Sequence, residues 1–178
     1  MALFPVENIC DTVIGFIEEQ RPVFETIIDQ YYEGRQLNIF LGRRASIPTS
    51  SLPSIEVDPV NESLGWHAVR VQETQPTLEI DVTTDNSFPD HAVRLESKMV
   101  TLLTRILASP PHLRPQIVGT TAVLFDSFPA SVSYGTAQQG RMRVATVSWR
   151  GKLIDYLPDH LFHPSQQIGV EAQPVNNG

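Results

Sequence analysis

The sequence predicts an α+β fold: a mostly antiparallel sheet, an N-terminal helix that is kinked or doubled, and one long amphipathic helix packed on one sheet face. Three observations predict it. Apolar residues recur at helical spacing near the N-terminus and again after residue 90. Between and after those stretches the period drops to two, as in "TLEIDVTTD" at residues 77–85. Clusters of Pro, Ser, Asn and Gly separate the period-two runs, as strand-ending turns require.

In "VENICDTVIGFIEEQ" (6–20) Ile9, Val13, Phe16 and Ile17 share a helical stripe, and Glu7 and Asp11 lie where the macrodipole favours negative charge. Pro22 kinks this helix or opens a second one, because proline suits a first turn. Phe24, Ile27, Ile28 and Tyr31 continue the stripe until Gly34, so residues 6–32 are expected to be helical with a break near Arg21–Pro22. Strands are expected at 37–47, 52–59, 65–73 and 76–84, with a short hairpin connection around Glu73–Pro76. Ser87 or Asp90 is the expected cap of the long helix, and Pro89 fits its first turn. Its apolar face is Ala92, Leu95, Met99, Leu102, Leu103, Ile106 and Leu107, and "SPPHLRP" ends it. Further strands follow at 116–125, 130–135 and 141–154. In the last, Met142, Val144, Thr146 and Ser148 face one way, and Arg141, Arg143, Ala145, Val147 and Trp149 the other. Residues 1–156 read as one domain and 157–178, rich in Pro, Gln and Asn, as an extended or flexible arm.

A chain of 178 residues suits one domain with a sizeable core, and its 41% apolar and 19% charged residues are globular in character. Low charge and 14 prolines fit a protein that hides surface in an assembly. A net charge of −7 argues against gripping nucleic acid through the whole surface. Cys10 is the only cysteine, which excludes an intrachain disulfide and a thiolate zinc cluster and suits a small packing residue. The opening "MALFPVENIC" has no basic-then-apolar leader, and no apolar run approaches the ~20 residues that span a bilayer. A soluble protein made in a reducing cytoplasm, without a membrane partner, is expected.

Glu79 and Asp81 share one face of a strand, where paired carboxylates hold Mg²⁺ or act as an acid/base couple. A metal nuclease also needs a further acid and a nearby lysine, and the next lysine, Lys98, falls within the long helix. The pair therefore reads as the solvent-facing side of a sheet, and an enzyme is disfavoured. Asp159, His160 and His163 have a metal-like spacing but lie in the tail, and His67, His91 and His112 are scattered. No nucleophile elbow or phosphate loop is present, so no catalytic residue, metal or cofactor is expected. Arg43 and Arg44, then Arg141, Arg143, Arg150 and Lys152, form two basic patches. They suit either DNA phosphate or carboxylates on a neighbouring copy, and the second fits the acidic chain better. Trp149 beside Arg150, and Trp66 beside His67, suit either interface anchors or core packing.

The layout resembles the tail terminator (neck) proteins of long-tailed bacteriophages. The residues that carry the resemblance are "DTVIGFIEE", "LPSIEVDP", "TLEIDVTTD" leading into "HAVRLESKMVTLLTRIL", and "RVATVSWRGKLI", together spanning residues 6 to about 154. The doubled first helix and the Pro-rich tail after Leu157 depart from it. The resemblance implies a virion protein, assembled in the host cytoplasm, that forms a homohexameric ring. Such a ring caps the tail tube, ends its polymerisation and joins the tail to the head connector or stopper protein, touching the sheath where tails contract. DNA passes through the lumen without specific binding, and Glu79 and Asp81 are candidates to line the lumen or face solvent. Arg43, Arg44, Arg141, Arg143, Trp149 and Arg150 are the candidate subunit-interface residues. The alternatives are another neck, tail-completion or baseplate adaptor protein, or a small metal-dependent enzyme using Glu79, Asp81 and a histidine.

Overall fold

Alternating apolar residues on three long strands create one greasy sheet face, and the helices exist to cover it. The computed structural model describes residues 6–44, 46–68, 71–108 and 123–156. In chain order it contains α1 (Val6–Glu19), α2 (Arg21–Asp29), β1 (Asn38–Leu41), β2 (Ser54–Ala68), β3 (Val71–Asp85), α3 (Pro89–Leu107), β4 (Val123–Ala137) and β5 (Met142–Tyr156), with a 3₁₀ turn at Thr49–Ser51. The five strands form a single sheet in the order β1-β2-β3-β5-β4. β1 runs parallel to β2, and every other neighbouring pair is antiparallel. The fold is α+β, as the sequence predicts.

Ile55 and Val57 on β2, Leu78, Ile80 and Val82 on β3, and Ala145, Val147 and Trp149 on β5 stand in cross-strand register on the covered face. All are buried against Ile9, Cys10, Val13 and Ile17 of α1, Phe24 and Ile28 of α2, and Leu95, Met99, Leu103 and Leu107 of α3. Burying a side chain of this size stabilises the fold by about 1.5–3 kcal/mol. Gln20 breaks the first helix in two, with Pro22 in the first turn of α2. Leu102 and Ile106 sit at the margin of the core, half-buried.

Neither expected cap serves α3. Phe88 is the N-cap and makes no side-chain cap bond. Ser87 turns back instead, its backbone N–H and hydroxyl both donating to Asp85 Oδ1 at 2.9 and 2.6 Å. Asp85 also pairs with Arg35 at 3.2 Å, and the Tyr32 hydroxyl donates to its carbonyl at 2.7 Å. The end of β3, the chain after α2 and the start of α3 are thereby tied together.

The expected hairpin at Glu73–Pro76 is also corrected. These residues lie inside β3, which pairs with β2 on one side and β5 on the other; β2 ends at Ala68 and β3 begins at Val71. Proline cannot donate to a ladder, and the ladder yields wherever one occurs. Opposite Gln75 and Pro76 the pairing with β5 is interrupted between Thr74 and Thr77. Pro59 and Pro129 each sit at a register shift, the extra residues being Val60 and Ala130. Residues 116–122 of the strand expected at 116–125, the "SPPHLRP" stop and the tail with Asp159, His160 and His163 lie outside the described residues.

Ile80 is fully buried in the middle strand. Ile80→Ala is expected to cost about 2–5 kcal/mol, read as a lower midpoint in urea unfolding at an unchanged slope.

Candidate functional site

The uncovered face of the sheet carries the charge. By register Glu56 on β2 stands opposite Asp81 on β3, and Asp58 opposite Glu79, so four carboxylates form a two-by-two block. Like charges directly opposite on neighbouring strands repel. The chain relieves this most directly at the β3 pair. Gly42, in the left-handed region at φ 77°, ends β1 and turns the next residue back over the sheet. The Arg43 guanidinium then donates to Asp81 Oδ2 through Nε at 2.8 Å and to Glu79 Oε2 through Nη2. Thr146 on β5 donates its hydroxyl to Asp81 Oδ1.

Glu79 and Asp81 are thus not an open acidic face. Asp81 is only 8% exposed, Glu79 is half-buried, and both are bound within the chain. The β2 half of the block is different. Glu56 is 4% exposed, its Oε2 accepts from the Arg44 backbone N–H at 3.4 Å, and its Oε1 has no hydrogen-bond partner among the described residues. Burial pushes the Glu56 carboxyl above the usual range and the Asp81 charge adds to the rise, against the Arg44 N–H and the Arg44 and Arg43 charges. Asp58, half-buried, has no ion-pair partner among the described residues.

Glu56 borders a cavity of about 490 Å³ on this face. One wall is the segment around Arg43, Arg44 and Ile47, and the other is β4 from Ser133 to Gln138. Beside it Ile47 and Leu52 pack on Met142, with Ala137 against them, so an apolar cluster anchors the 47–52 segment to the polar side of the sheet. The Gln138 side chain holds the Ile47 carbonyl at 3.3 Å.

The candidate interface residues divide. Trp149 is 1% exposed and belongs to the core, where alternation with Ala145 and Val147 puts it; it is no surface anchor. It also lies over Gly151, where a Cβ would come within 2.6 Å of the indole ring. Arg143 pairs within the chain, donating to Glu96 of α3 at 2.8 and 3.0 Å. Burial pushes Glu96 upward in spite of that partner. The Arg44 guanidinium stacks 3.8 Å over the Phe40 ring. Arg141 and Arg150 are exposed with no ion-pair partner among the described residues. Lys152 pairs with Glu73 at 2.9 Å, and the side chains of Trp66 and His67 lie outside the described residues.

Sequence reasoning missed Glu56 and Asp58, although "SIEVDP" carries the same two-residue carboxylate spacing as "TLEIDV". Nor did it show that the strands expected at 116–125 and 130–135 belong to one strand, β4, at the edge of the sheet. Among the described residues β4 pairs with β5 on one side only, and residues Ala130 to Thr136 are exposed throughout. Val132 and Tyr134 point to the helix side yet stay 37% and 58% exposed, because the helix layer stops short of them. "ASVSYGTA" (130–137) contains no charged residue and no proline.

No known protein family matches the chain, and no curated protein does. Among solved structures, a chain of the "Virion of native gene transfer agent (GTA) particle" is similar, with a TM-score of 0.45 and 12% identity over 76% of this chain and 90% of that one.

Arg43→Ala strips a buried carboxylate of its cation and is expected to destabilise the fold by on the order of 1–3 kcal/mol. Asp81→Asn in the same background should recover part of that loss, so the double variant loses less than the two singles summed in urea unfolding. Glu56 behaves oppositely. Its raised folded-state pKa means that the folded chain holds the proton more tightly, so stability falls as pH rises from the ordinary glutamate range through the folded value. Glu56→Gln should therefore be more stable than the parent at about pH 7, with the gain vanishing near pH 4. An equal loss at both pH values would show that the carboxylate is needed for folding.

Proposed function

We propose that this chain is a non-enzymatic structural subunit of a phage-like virion, forming a ring that caps a tail tube, ends tube polymerisation and joins the tail to the head connector. The observation that carries this reading is the edge of β4, which pairs with no second strand among the described residues. Soluble proteins protect sheet edges with charge, proline, bulges or a covering element, since a bare row of N–H and C=O groups templates pairing with another chain. Between Ala130 and Ala137 the last bulge is at Ala130, and neither charge nor proline follows. The far edge of the sheet is β1, four residues long and parallel to its neighbour, so the two edges are unlike. Unlike patches that mate head to tail generate a ring where the rotation closes.

The same reading assigns no chemistry to Glu79 and Asp81, whose oxygens are taken up by Arg43 and Thr146. The tail tube protein, the connector or stopper and, in a contractile tail, the sheath are the partners it entails, with DNA passing through without specific contacts.

Light scattering and negative-stain imaging of the purified protein, alone and with tail tubes, test the proposal. Closed rings of about six copies that stop tube elongation are expected, and Ser133→Lys on the edge should abolish them while leaving the urea midpoint unchanged. A monomer that neither caps tubes nor closes on them overturns the reading.

A further inference from the structure

Each outer strand turns one row of backbone groups away from the sheet, and the register fixes which residues form that row. On β1 the Asn38 N–H donates to the Pro53 carbonyl at 3.1 Å, and the Gly42 N–H just beyond it to the Val57 carbonyl at 2.8 Å. Successive residues of a strand point their backbone groups to opposite sides, so Ile39 and Leu41 direct theirs away from β2. The same alternation carries across the sheet. Val57 faces β1, so Glu56 faces Asp81 of β3, Ile80 faces Val147 of β5, and Thr146 faces Ser133 of β4. Val132, Tyr134 and Thr136 are left pointing outward. On both edges the outward row is therefore the one whose side chains lie on the helix side, Ile39 and Leu41 beside Ile55 and Val57, Val132 and Tyr134 beside Val147 and Ala145. Neither 38–41 nor 131–137 contains a charge or a proline that would oppose pairing.

We propose that β4 of one copy pairs antiparallel with β1 of the next, Leu41 opposite Val132 and Ile39 opposite Tyr134, so that the sheet runs on from subunit to subunit. The inference rests on the assembly reading above and names where two copies meet. Strands β1, β2 and β5 run one way, β3 and β4 the other. A rotation about an axis along the strands keeps those directions, so the incoming β1 is antiparallel to β4. Directly opposed residues of an antiparallel pair share a face, and their backbone groups point either at each other or both away. Two edges can therefore join with their apolar rows aligned only if their outward rows lie on the same face, and these two do. The helix layer gives a second observation. α1 packs over β1 and β2, whereas Val132 and Tyr134 are left exposed. A copy that continues the sheet brings its α1 up to that bare strip, and Leu41, exposed in the single chain, is covered with it.

Two sets of variants of the full chain test the pairing. Tyr134→Pro and Tyr134→Ala separate the ladder from the side chain, because proline removes an N–H that points away from β5 and so costs only the bond to the next copy. By analytical ultracentrifugation Tyr134→Pro should associate more weakly than Tyr134→Ala by on the order of tenfold or more, with similar midpoints in urea. Asn38→Cys with Gly135→Cys, and Phe40→Cys with Ser133→Cys, put thiols at directly opposed positions of the proposed ladder, and a Cβ at Gly135 meets nothing within 4 Å. Mild oxidation should join each double variant into covalent oligomers larger than a dimer, which the single variants cannot form. Equal association of Tyr134→Pro and Tyr134→Ala, or rings in which neither cysteine pair cross-links, overturns the pairing and leaves the ring reading standing. Cross-linked chains that stay open and cap no tube keep the pairing and remove the ring. A chain that stays monomeric at every concentration, with tubes present, removes both.

Discussion

β3 runs down the middle of the sheet with Leu78, Ile80 and Val82 sealed under the helix layer, and the other elements take their positions from it. A central strand must satisfy two ladders and two faces at once. On the covered face its apolar row lines up with Ile55 and Val57 on one side and Ala145, Val147 and Trp149 on the other, giving α1 and α3 a continuous surface to pack on. A one-residue slip in either pairing would turn that whole row outward, so the register is held by burial itself. The end of β3 then sets the start of α3, because Asp85 is claimed by Ser87 and Arg35 together. Burial works to raise the Asp85 carboxyl, and the Ser87 and Arg35 contacts outweigh it, leaving the group charged below the usual aspartate range.

The opposite face obeys the same register and inherits its consequence. Aligning the apolar rows of β2 and β3 necessarily aligns their acids, Glu56 with Asp81 and Asp58 with Glu79. The repulsion is therefore a by-product of core alignment, and Arg43 is the local remedy. It reaches the acids only because Gly42 permits a left-handed turn after β1 and because Ile47 and Leu52 pin the following segment against Met142. Relief is only partial at Glu56 on β2, where the Arg44 N–H and the Arg44 and Arg43 charges do not overcome burial. A chain optimised for stability alone would place an apolar or amide side chain at position 56, whose raised carboxyl is a standing cost.

Much of this was legible from residue order. The alternation in "TLEIDVTTD" and "RVATVSW" and the stripe of Leu95, Met99, Leu103 and Leu107 gave both faces of the sheet and the helix that covers one of them. Trp149 was decidable too, since its parity with Ala145 and Val147 places it inside; adjacency to Arg150 was the weaker cue. The long β3 was not legible, because Pro76 looks like a break. Only the interrupted pairing with β5 shows that its missing N–H is harmless there. The Arg43–Asp81 bond joins residues far apart in sequence, and no local pattern signals which of several arginines reaches which acid. Charge spacing on one strand is visible in sequence, whereas charge pairing between strands is a property of register.

The two sheet edges explain why an open strand need not mean indiscriminate aggregation. The register shifts at Phe125 and Ala130 interrupt β4, so only the run from Ser131 to Ala137 offers an even ladder. A partner strand is thereby limited in length and register. Tyr134 and Val132 add apolar area on one side of that run, and the cavity bordered by Glu56 lies on the other. Backbone pairing supplies affinity without selectivity, whereas the side chains that flank the ladder decide which neighbour fits. On the proposed reading, the short even ladder and the side chains beside it admit one kind of neighbour, and a contact so restricted is what lets a ring close at a fixed number of copies.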